Sequence, residues 1–301
     1  MDERFTKEQI TRLISSIRKG RPLPPEERAE FARTTKVFFD KCAAFKHTAR
    51  VLAKRCTKEM RHHYEDLDAQ WLDDVTEEIE WWWHFLTVFD PDVVQNWRAI
   101  ATKPFQFEAF LQDDEETARV LNIGSGPCST LPRATRLNRL EVVDMDPLAT
   151  AYNFLTQALE IEDRSEITFG AVEILTKLQP KGSFDFIAAK NCLDHAYDVP
   201  RGLEQMAMAL DAQGSILLQH WENEAELQNY TGLHNWNIEV QDGRIRIWNR
   251  EREHLFDHEA WGFELLHERS ERQRLNDKVE YFNQIYLSRR PIPASFGTRR
   301  N

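Results

Sequence analysis

Residues 120–127 read VLNIGSGP, a short and mostly apolar run that passes directly into Gly124, Ser125, Gly126 and Pro127. A run of this kind that ends at a turn signal is typical of a buried strand. The two glycines let the backbone turn sharply after that strand and approach a ligand closely. Open parallel sheets bind ligands at the carboxyl ends of their strands. The stretch therefore predicts a strand of such a sheet, followed at its carboxyl end by a binding loop.

Further short apolar runs follow this stretch and alternate with helical patterns. Such alternation predicts an α/β protein with a mostly parallel, doubly wound sheet that has helices on both faces. Two last runs, separated by a polar turn, predict a closing pair of strands. The runs are LEVVD (140–144), ITF (167–169), FDFIAA (184–189) and SILLQ (215–219), followed by FELLHE (263–268) and VEYFNQIYL (279–287).

The first hundred or so residues have helical rather than strand periodicity. One packing seam repeats every three or four residues, and a second helix is indicated by apolar residues at the same spacing. The consecutive tryptophans Trp81, Trp82 and Trp83 cannot all face one core, because successive helical residues point about 100° apart. We expect this region to pack between the domains, with a lid over the cofactor mouth as the alternative. The two series are Phe38, Cys42, Phe45, Ala49, Leu52 and Cys56, and Leu67, Trp71, Val75, Ile79, Trp82 and Leu86.

Composition and charge exclude several classes of protein. The chain has 301 residues, of which 41% are hydrophobic and 30% are charged, with a formal net charge of −11. An acidic protein is a poor non-specific ligand for nucleic acid, since phosphate contacts supply most of that affinity. The basic first sixty residues are the only feature that favours RNA. Four cysteines without a CxxC pair argue against a zinc site or a disulfide scaffold, so we predict no bound metal.

Neither a secretory signal nor an apolar run of the roughly 20 residues needed to span a membrane is visible in the sequence. We therefore expect a cytoplasmic protein without a membrane partner. The sequence gives no indication of the oligomeric state.

The glycine loop suits a nucleoside better than a dinucleotide. A dinucleotide fingerprint would have a third glycine at position 129, where Ser129 stands instead. Pro127 interrupts the helix start that a pyrophosphate needs. About twenty residues later, the second strand ends in Asp144 and Asp146, and a carboxylate there can accept hydrogen bonds from both hydroxyls of a ribose. We favour Asp146, which lies at the strand tip, with Asp144 as the alternative.

Taken in order, VLNIGSGP, VVDMDP, FGAVEIL, FDFIAAKNCLDH and LDAQGSILLQH resemble the class I S-adenosylmethionine-dependent methyltransferases. The resemblance covers residues 118–289 and implies a Rossmann-like, seven-stranded sheet with a reversed C-terminal hairpin. It also implies that Gly124, Ser125 and Gly126 hold the methionine end of S-adenosylmethionine and that Asp146 holds the ribose. One departure is Asn122, which stands where the family often has an acid.

The resemblance further implies that the loop over 170–173 holds the adenine. Our remaining cofactor candidates are Asn122, Pro127, Ala171, Val172, Glu173 and Asn191. We expect three segments: a helical N-terminal region over residues 1–112, a cofactor-binding domain over 118–290 with an insert at 221–250, and a flexible tail over 291–301.

Bases for methyl transfer to an oxygen are expected just after the fourth and fifth strands. Asp194 and His195 follow the fourth strand, and His220 ends the fifth. Histidine titrates near neutral pH, which suits removal of a hydroxyl proton during transfer. We predict that His195 or His220 acts as the base, with Asp194 as a residue that orients an imidazole.

The insert carries a dense set of aromatic and amide side chains. Aromatic faces combined with amide hydrogen bonds suit a sugar or another polyol. The candidate substrate-binding residues are Trp221, Tyr230, His234 and Trp236, and the alternative is a hairpin whose aromatics pack on the sheet edge. Asp242-Gly243 predicts the turn of that hairpin.

These patterns favour methylation of a small-molecule or glycan-like acceptor at oxygen. Two alternatives remain open: transfer of the aminocarboxypropyl arm of the same cofactor, as in nicotianamine synthases, and a non-catalytic protein that binds partners through its helical region.

Overall fold

The computed structural model describes residues 45–64, 69–89, 107–111, 117–129, 131–132, 139–161, 166–273 and 279–292. Expectations for the residues before 45 and for the tail after 292 lie outside these ranges. The chain divides into two compact units, residues 1–97 and 98–301. No helix in the described ranges is both long and apolar enough to cross a membrane.

The described part of the first unit is helical, as its periodicity predicts. Helix α1 covers residues 45–61. Helix α2, Ala69–His84, continues into a π-helical turn at Phe85–Phe89. Six residues of the two predicted series are buried, namely Ala49, Leu52, Cys56, Val75, Ile79 and Leu86. Phe45, Trp71 and Trp82 are partly buried.

The three tryptophans of α2 point in different directions. Trp83 stacks on Phe45 with ring centroids 4.7 Å apart. Trp81 stacks on Phe85 and has 49% of its surface exposed. The role of this unit, in packing between the domains or as a lid, stays a prediction.

The second unit contains a seven-stranded sheet in the order β3-β2-β1-β4-β5-β10-β9. Strands β1 to β5 run parallel, whereas β10 pairs antiparallel with β5 and with β9. This order confirms the predicted α/β fold with a reversed final hairpin. The strands are β1 Thr117–Ile123, β2 Arg139–Asp146, β3 Thr168–Phe169, β4 Phe184–Lys190, β5 Leu210–Trp221, β9 Glu264–Gln273 and β10 Val279–Ser288.

Short helices connect these strands. They are α3 Ala149–Ala158, α4 Leu175–Leu178 after a 3-10 turn at Val172–Ile174, α5 Val199–Ala209 and α6 Glu224–Leu227. A further 3-10 turn, Leu193–His195, directly follows β4. Asp198 caps α5 by accepting a hydrogen bond from the Arg201 amide, and Pro200 fits the first turn because that turn has no amide partner to lose.

The insert forms a separate three-stranded sheet in the order β6-β7-β8. Strands β6 Asn237–Gln241 and β7 Arg244–Trp248 form the predicted hairpin, and β8 Glu253–Phe256 adds a third strand. At the turn, Asp242 and Gly243 have φ values of 50° and 74°, as a two-residue hairpin turn requires. The apolar face of this small sheet joins the core of the main sheet through Ile245, Ile247 and Phe256.

The segment 107–111 packs on the main sheet, although it precedes the predicted domain start at residue 118. Phe107 stacks on Phe186 of β4, and Phe110 stacks on Tyr286 of β10 with ring centroids 5.3 Å apart. Both phenylalanines are almost fully buried. Residues 107–111, which the predicted boundary assigned to the helical region, therefore cover one face of the central strands.

Candidate active site

The glycine loop after β1 is held against the end of β2. Gly124 and Gly126 both have a φ of 61°, a left-handed conformation that costs glycine little. The Gly126 amide donates to Asp146 Oδ2 over 3.0 Å, and the Leu148 amide donates to Asp146 Oδ1 over 2.8 Å. Asp146 is 6% exposed. Its carboxylate thus fixes the loop, and it keeps further lone pairs with which to bind a hydroxyl.

Asn122 connects the first two strands beneath this loop. Its amide nitrogen donates to Asp144 Oδ1 and to Ser129 Oγ, over 2.9 Å in each case. Asn122 and Asp144 are register partners in the parallel pair β1–β2, and both are buried. An acid at position 122 would place two carboxylates side by side here. The amide therefore accounts for the departure from the family pattern, because it donates where a carboxylate could not.

We expect Asn122→Asp to lower the free energy of unfolding at pH 7 by about 1–3 kcal/mol, the cost of an unsatisfied buried polar group. Two adjacent carboxylates raise the pKa of one of them, so the folded state takes up a proton that the unfolded state does not bind. The loss should therefore shrink as the pH falls towards the unfolded pKa of about 4.

Urea denaturation between pH 5 and pH 8 measures this loss. The matched control is Asn122→Ala, which removes the same hydrogen bonds without adding a charge and should show the weaker pH dependence, since only one carboxylate is then present at this position. An identical pH profile for the two variants would contradict the argument.

Cys192, which follows β4, packs against the glycine loop. Its Sγ donates to the Ile123 carbonyl over 3.3 Å. A Cβ added to Gly124 would lie 2.4 Å from the Cys192 Cβ, so no larger residue fits at position 124 without movement. Burial, together with the nearby carboxylates of Asp194 and Asp146, raises the pKa of the Cys192 thiol. The thiol therefore stays protonated and fills space beside the loop.

The remaining cofactor candidates lie at the same edge of the sheet. Ala171, Val172 and Glu173 are buried in the turn that follows β3. Glu173 Oε1 accepts a hydrogen bond from the Asp198 amide over 3.0 Å, which attaches the turn to the start of α5. Asn191 has a φ of 49°, and its amide donates to the Gln219 carbonyl of β5. No contact in the described ranges tests the adenine role, which stays a prediction.

Three candidates from two distant segments meet just beyond β4. His234 Nδ1 lies 2.6 Å from Asp194 Oδ2 and 3.1 Å from His195 Nε2. His195 Nε2 lies 3.5 Å from the same Asp194 oxygen. The two imidazoles are partly exposed, whereas the Asp194 side chain is 3% exposed. Burial opposes ionisation of Asp194, yet the His195 and His234 imidazoles outweigh it and hold the pKa of this carboxyl below its ordinary range.

The insert reaches this position because its backbone is attached to the turn after β4. The amides of Asn235 and Trp236 both donate to the Asp194 carbonyl, over 2.9 Å and 3.3 Å. The Trp236 indole N–H donates to the Ala196 carbonyl over 2.9 Å. These bonds join residues about forty positions apart and fix His234 beside Asp194.

His220 is buried at the end of β5. Its Nδ1 lies 3.0 Å from the Trp221 carbonyl, so the ring carries its proton there, and Nε2 has no hydrogen-bond partner among the described residues. Burial lowers the pKa of His220. The ring is therefore neutral at pH 7 and has an available lone pair.

The other predicted substrate residues have structural contacts. Trp236 is 2% exposed and belongs to the core. The Tyr230 hydroxyl accepts a hydrogen bond from the buried Asn237 amide, and Arg250 lies over the ring. Trp221 packs edge-on against Phe282. These contacts agree with the alternative of aromatics that pack within the insert and on the sheet, whereas His234 belongs with the catalytic candidates.

The polar groups at this end of the sheet fit S-adenosylmethionine. Two buried carboxylates, Asp144 and Asp146, lie beside a loop whose glycines bring the backbone close, and hydroxyl groups of a ribose are suitable partners for such acceptors. Residues 124–127 follow the first strand at the switch point between β1 and β4, where doubly wound sheets bind their ligands.

A family model described as a methyltransferase domain matches residues 95–268. The chain therefore belongs to this family, which confirms the predicted class of S-adenosylmethionine-dependent methyltransferases. No curated protein matches the sequence significantly.

Solved structures with a similar fold share little sequence with this chain. The YcgJ protein of Bacillus subtilis is 13% identical, with 59% of this chain and 94% of that chain covered and a TM-score of 0.36. A phosphoethanolamine N-methyltransferase 2 of Haemonchus contortus is 12% identical, with 72% and 58% covered and a TM-score of 0.44. The CurJ carbon methyltransferase is 14% identical, with 86% and 71% covered and a TM-score of 0.41.

Proposed function

We propose that the protein methylates a hydroxyl oxygen of a small-molecule or glycan-like acceptor and that an imidazole takes up the hydroxyl proton. The observation that carries the proposal is the meeting of His195 and His234 with the buried Asp194 at the carboxyl end of β4. When bound, S-adenosylmethionine would supply an electrophilic methyl group, and its sulfur would leave as the thioether of S-adenosylhomocysteine. The chain's own residues would orient the hydroxyl and accept its proton.

Two histidines are suited to the proton transfer for different reasons. His195 is partly exposed, and its Nε2 lies 3.5 Å from Asp194 Oδ2. His220 is buried with its proton on Nδ1, which leaves the Nε2 lone pair available. Asp194 would act as a positioning residue for the His195 and His234 rings, since its Oδ2 lies 2.6 Å from His234 Nδ1 and 3.5 Å from His195 Nε2.

The glycan-like class of acceptor rests on the polar composition of the insert near these histidines. Asn229, Thr231 and Asn235 are exposed in the loop that precedes β6, and amide and hydroxyl groups suit a polyol. This proposal concerns the loop rather than Trp236, which the core already buries.

Product analysis tests the reaction. The chain is incubated with S-adenosylmethionine and a panel of monosaccharides, nucleotide sugars and oligosaccharides, and the products are separated by mass spectrometry. Methyl transfer yields S-adenosylhomocysteine and an acceptor that is heavier by one methylene group. Methylthioadenosine would instead indicate transfer of the aminocarboxypropyl arm, and the absence of any heat of cofactor binding in calorimetry would support a non-catalytic protein.

A second prediction concerns the ribose. We expect Asp146→Ala to weaken binding of S-adenosylhomocysteine by about 1–3 kcal/mol, because the Gly126 and Leu148 amides lose their acceptor and the ribose loses its partner. Titration calorimetry measures the affinity, and Asp144→Ala is the matched comparison. Unchanged affinity in Asp146→Ala together with a loss in Asp144→Ala would assign the ribose to Asp144.

A further inference from the structure

We infer that Asp194, His195 and His234 form a binding site for one divalent first-row transition-metal cation. The inference goes beyond the proposed methyl transfer, because metal binding is measured without cofactor or acceptor. With an ion bound to His195 Nε2, His220 is the candidate imidazole left to take up the hydroxyl proton. It also departs from the sequence-based expectation of no bound metal, which rested on the cysteines alone.

The three candidate ligand atoms are spaced much like the ligand atoms of a single metal ion. Asp194 Oδ2, His195 Nε2 and His234 Nδ1 are separated from one another by 2.6, 3.1 and 3.5 Å. Ligand atoms about 2.1 Å from a metal ion, at angles of roughly 90–110°, lie about 3.0–3.4 Å apart. The three separations therefore bracket those of neighbouring ligand atoms in one coordination sphere.

Hydrogen bonds account for only some of the short contacts among Asp194, His195 and His234. A proton on His234 Nδ1 that points to Asp194 cannot also point to His195. A proton on His195 Nε2 would then have to reach the Asp194 oxygen across 3.5 Å, which is beyond the usual range for a strong hydrogen bond. A cation placed among the three lone pairs satisfies all of them together, provided that His234 carries its proton on Nε2.

An independent observation concerns the other oxygen of the same carboxylate. Asp194 is only 2% exposed, and its Oδ1 has no hydrogen-bond partner among the described residues. A buried, ionised carboxylate with an unsatisfied oxygen is costly unless a positive charge compensates it. A divalent cation supplies that charge at the position where the two imidazoles converge.

The site is held in place before any ion binds. The backbone amides of Asn235 and Trp236 donate to the Asp194 carbonyl, and the Trp236 indole is buried and bonded to Ala196. His234 therefore does not need to move towards Asp194, and little conformational entropy is lost on binding. The partial exposure of both imidazoles leaves an open side for water or an acceptor oxygen.

The chemistry of the donors selects the class of ion. Imidazole nitrogens favour zinc, iron, nickel and copper, whereas magnesium and calcium prefer all-oxygen sites. Two histidines with one carboxylate and open positions are typical of catalytic zinc and of mononuclear iron(II) centres. We therefore expect Zn²⁺ and Co²⁺ to bind and Mg²⁺ to compete weakly.

The test is metal titration of the full chain after treatment with a chelator. Zn²⁺ binding is followed by calorimetry, and Co²⁺ binding is followed by its visible absorption bands. We expect one equivalent to bind and the affinity to fall in His234→Ala by at least the roughly 10–100-fold that loss of an outer-shell partner costs. His254→Ala is the matched control, because His254 is exposed on β8 and should leave the affinity unchanged.

Two results would overturn the inference: no saturable binding, or equal affinities in the His234→Ala and His254→Ala proteins. Circular dichroism shows whether His234→Ala is folded. If it is not, imidazole ¹⁵N resonances of the unmodified chain provide the second measurement. Zn²⁺ should then shift two histidines selectively, and an unselective shift would contradict the site. Methyl transfer that persists in chelator without Zn²⁺ binding would leave the proposed function intact and reject the metal site.

Discussion

Replacing His195 or His220 by alanine is expected to lower turnover by about 100-fold or more, the usual contribution of a positioned general base. His195 lies at the partly exposed end of the cluster, and His220 has a buried nitrogen with an available lone pair. Turnover is measured as S-adenosylhomocysteine formed per enzyme at saturating acceptor. The affinity for S-adenosylhomocysteine should stay unchanged, since neither histidine is among the cofactor candidates.

His254→Ala again serves as the matched control, because it removes an exposed imidazole outside the cluster. A loss of turnover in His220→Ala alone would assign the proton transfer to His220 at the end of β5. A loss in His195→Ala alone would assign it to the turn after β4. Full activity in both variants would contradict the proposed role of histidine and leave substrate positioning as the mechanism.

Gly124→Ala is expected to have the second large effect. The new Cβ would lie 2.4 Å from the Cys192 Cβ and 2.5 Å from its Sγ, and residue 124 would still have to adopt a φ of 61°. The left-handed conformation costs an L-residue about 1–2 kcal/mol, and overpacking costs a further 1–3 kcal/mol or so. We therefore expect the free energy of unfolding to fall by about 2–5 kcal/mol and cofactor affinity to fall with it.

A double-mutant cycle separates the two causes. Cys192→Gly removes both atoms that the new methyl group would meet, so the double variant should regain the overpacking part of the loss but not the backbone strain. Urea denaturation of the four proteins gives the coupling energy. Strictly additive losses would show that Cys192 does not limit position 124.

The strands and the loop were predictable because their signals are local. Apolar runs identified each strand of the main sheet, and glycine at 124 and 126 marked the turn. Strand β8 was missed, because EHLF has only a short apolar part and pairs only after the β6–β7 hairpin has formed. Residues 107–111 were assigned to the helical region, because nothing in their sequence indicates that Phe107 would stack on Phe186.

The candidate site was only partly predictable. The sequence placed Asp194 and His195 after a strand and assigned His234 and Trp236 together to the acceptor. In the structure, these two residues of the insert have different surroundings. His234 contacts Asp194, whereas Trp236 is buried in the core. Asn122 stands where the family often has an acid, and only the structure shows that its amide donates to Asp144. The hydrogen-bond partner of such a side chain depends on atoms that belong to other strands and loops.

The sequence by itself determined the alternation of strands and helices, the glycine turn and the two acids at the end of β2, since each depends on neighbours within a few residues. Tertiary structure alone decided that His234 meets Asp194 across forty positions. That contact depends on the path of the insert, which the amides of Asn235 and Trp236 attach to the turn after β4. A contact between distant segments exists only once the sheet has set their separation and direction.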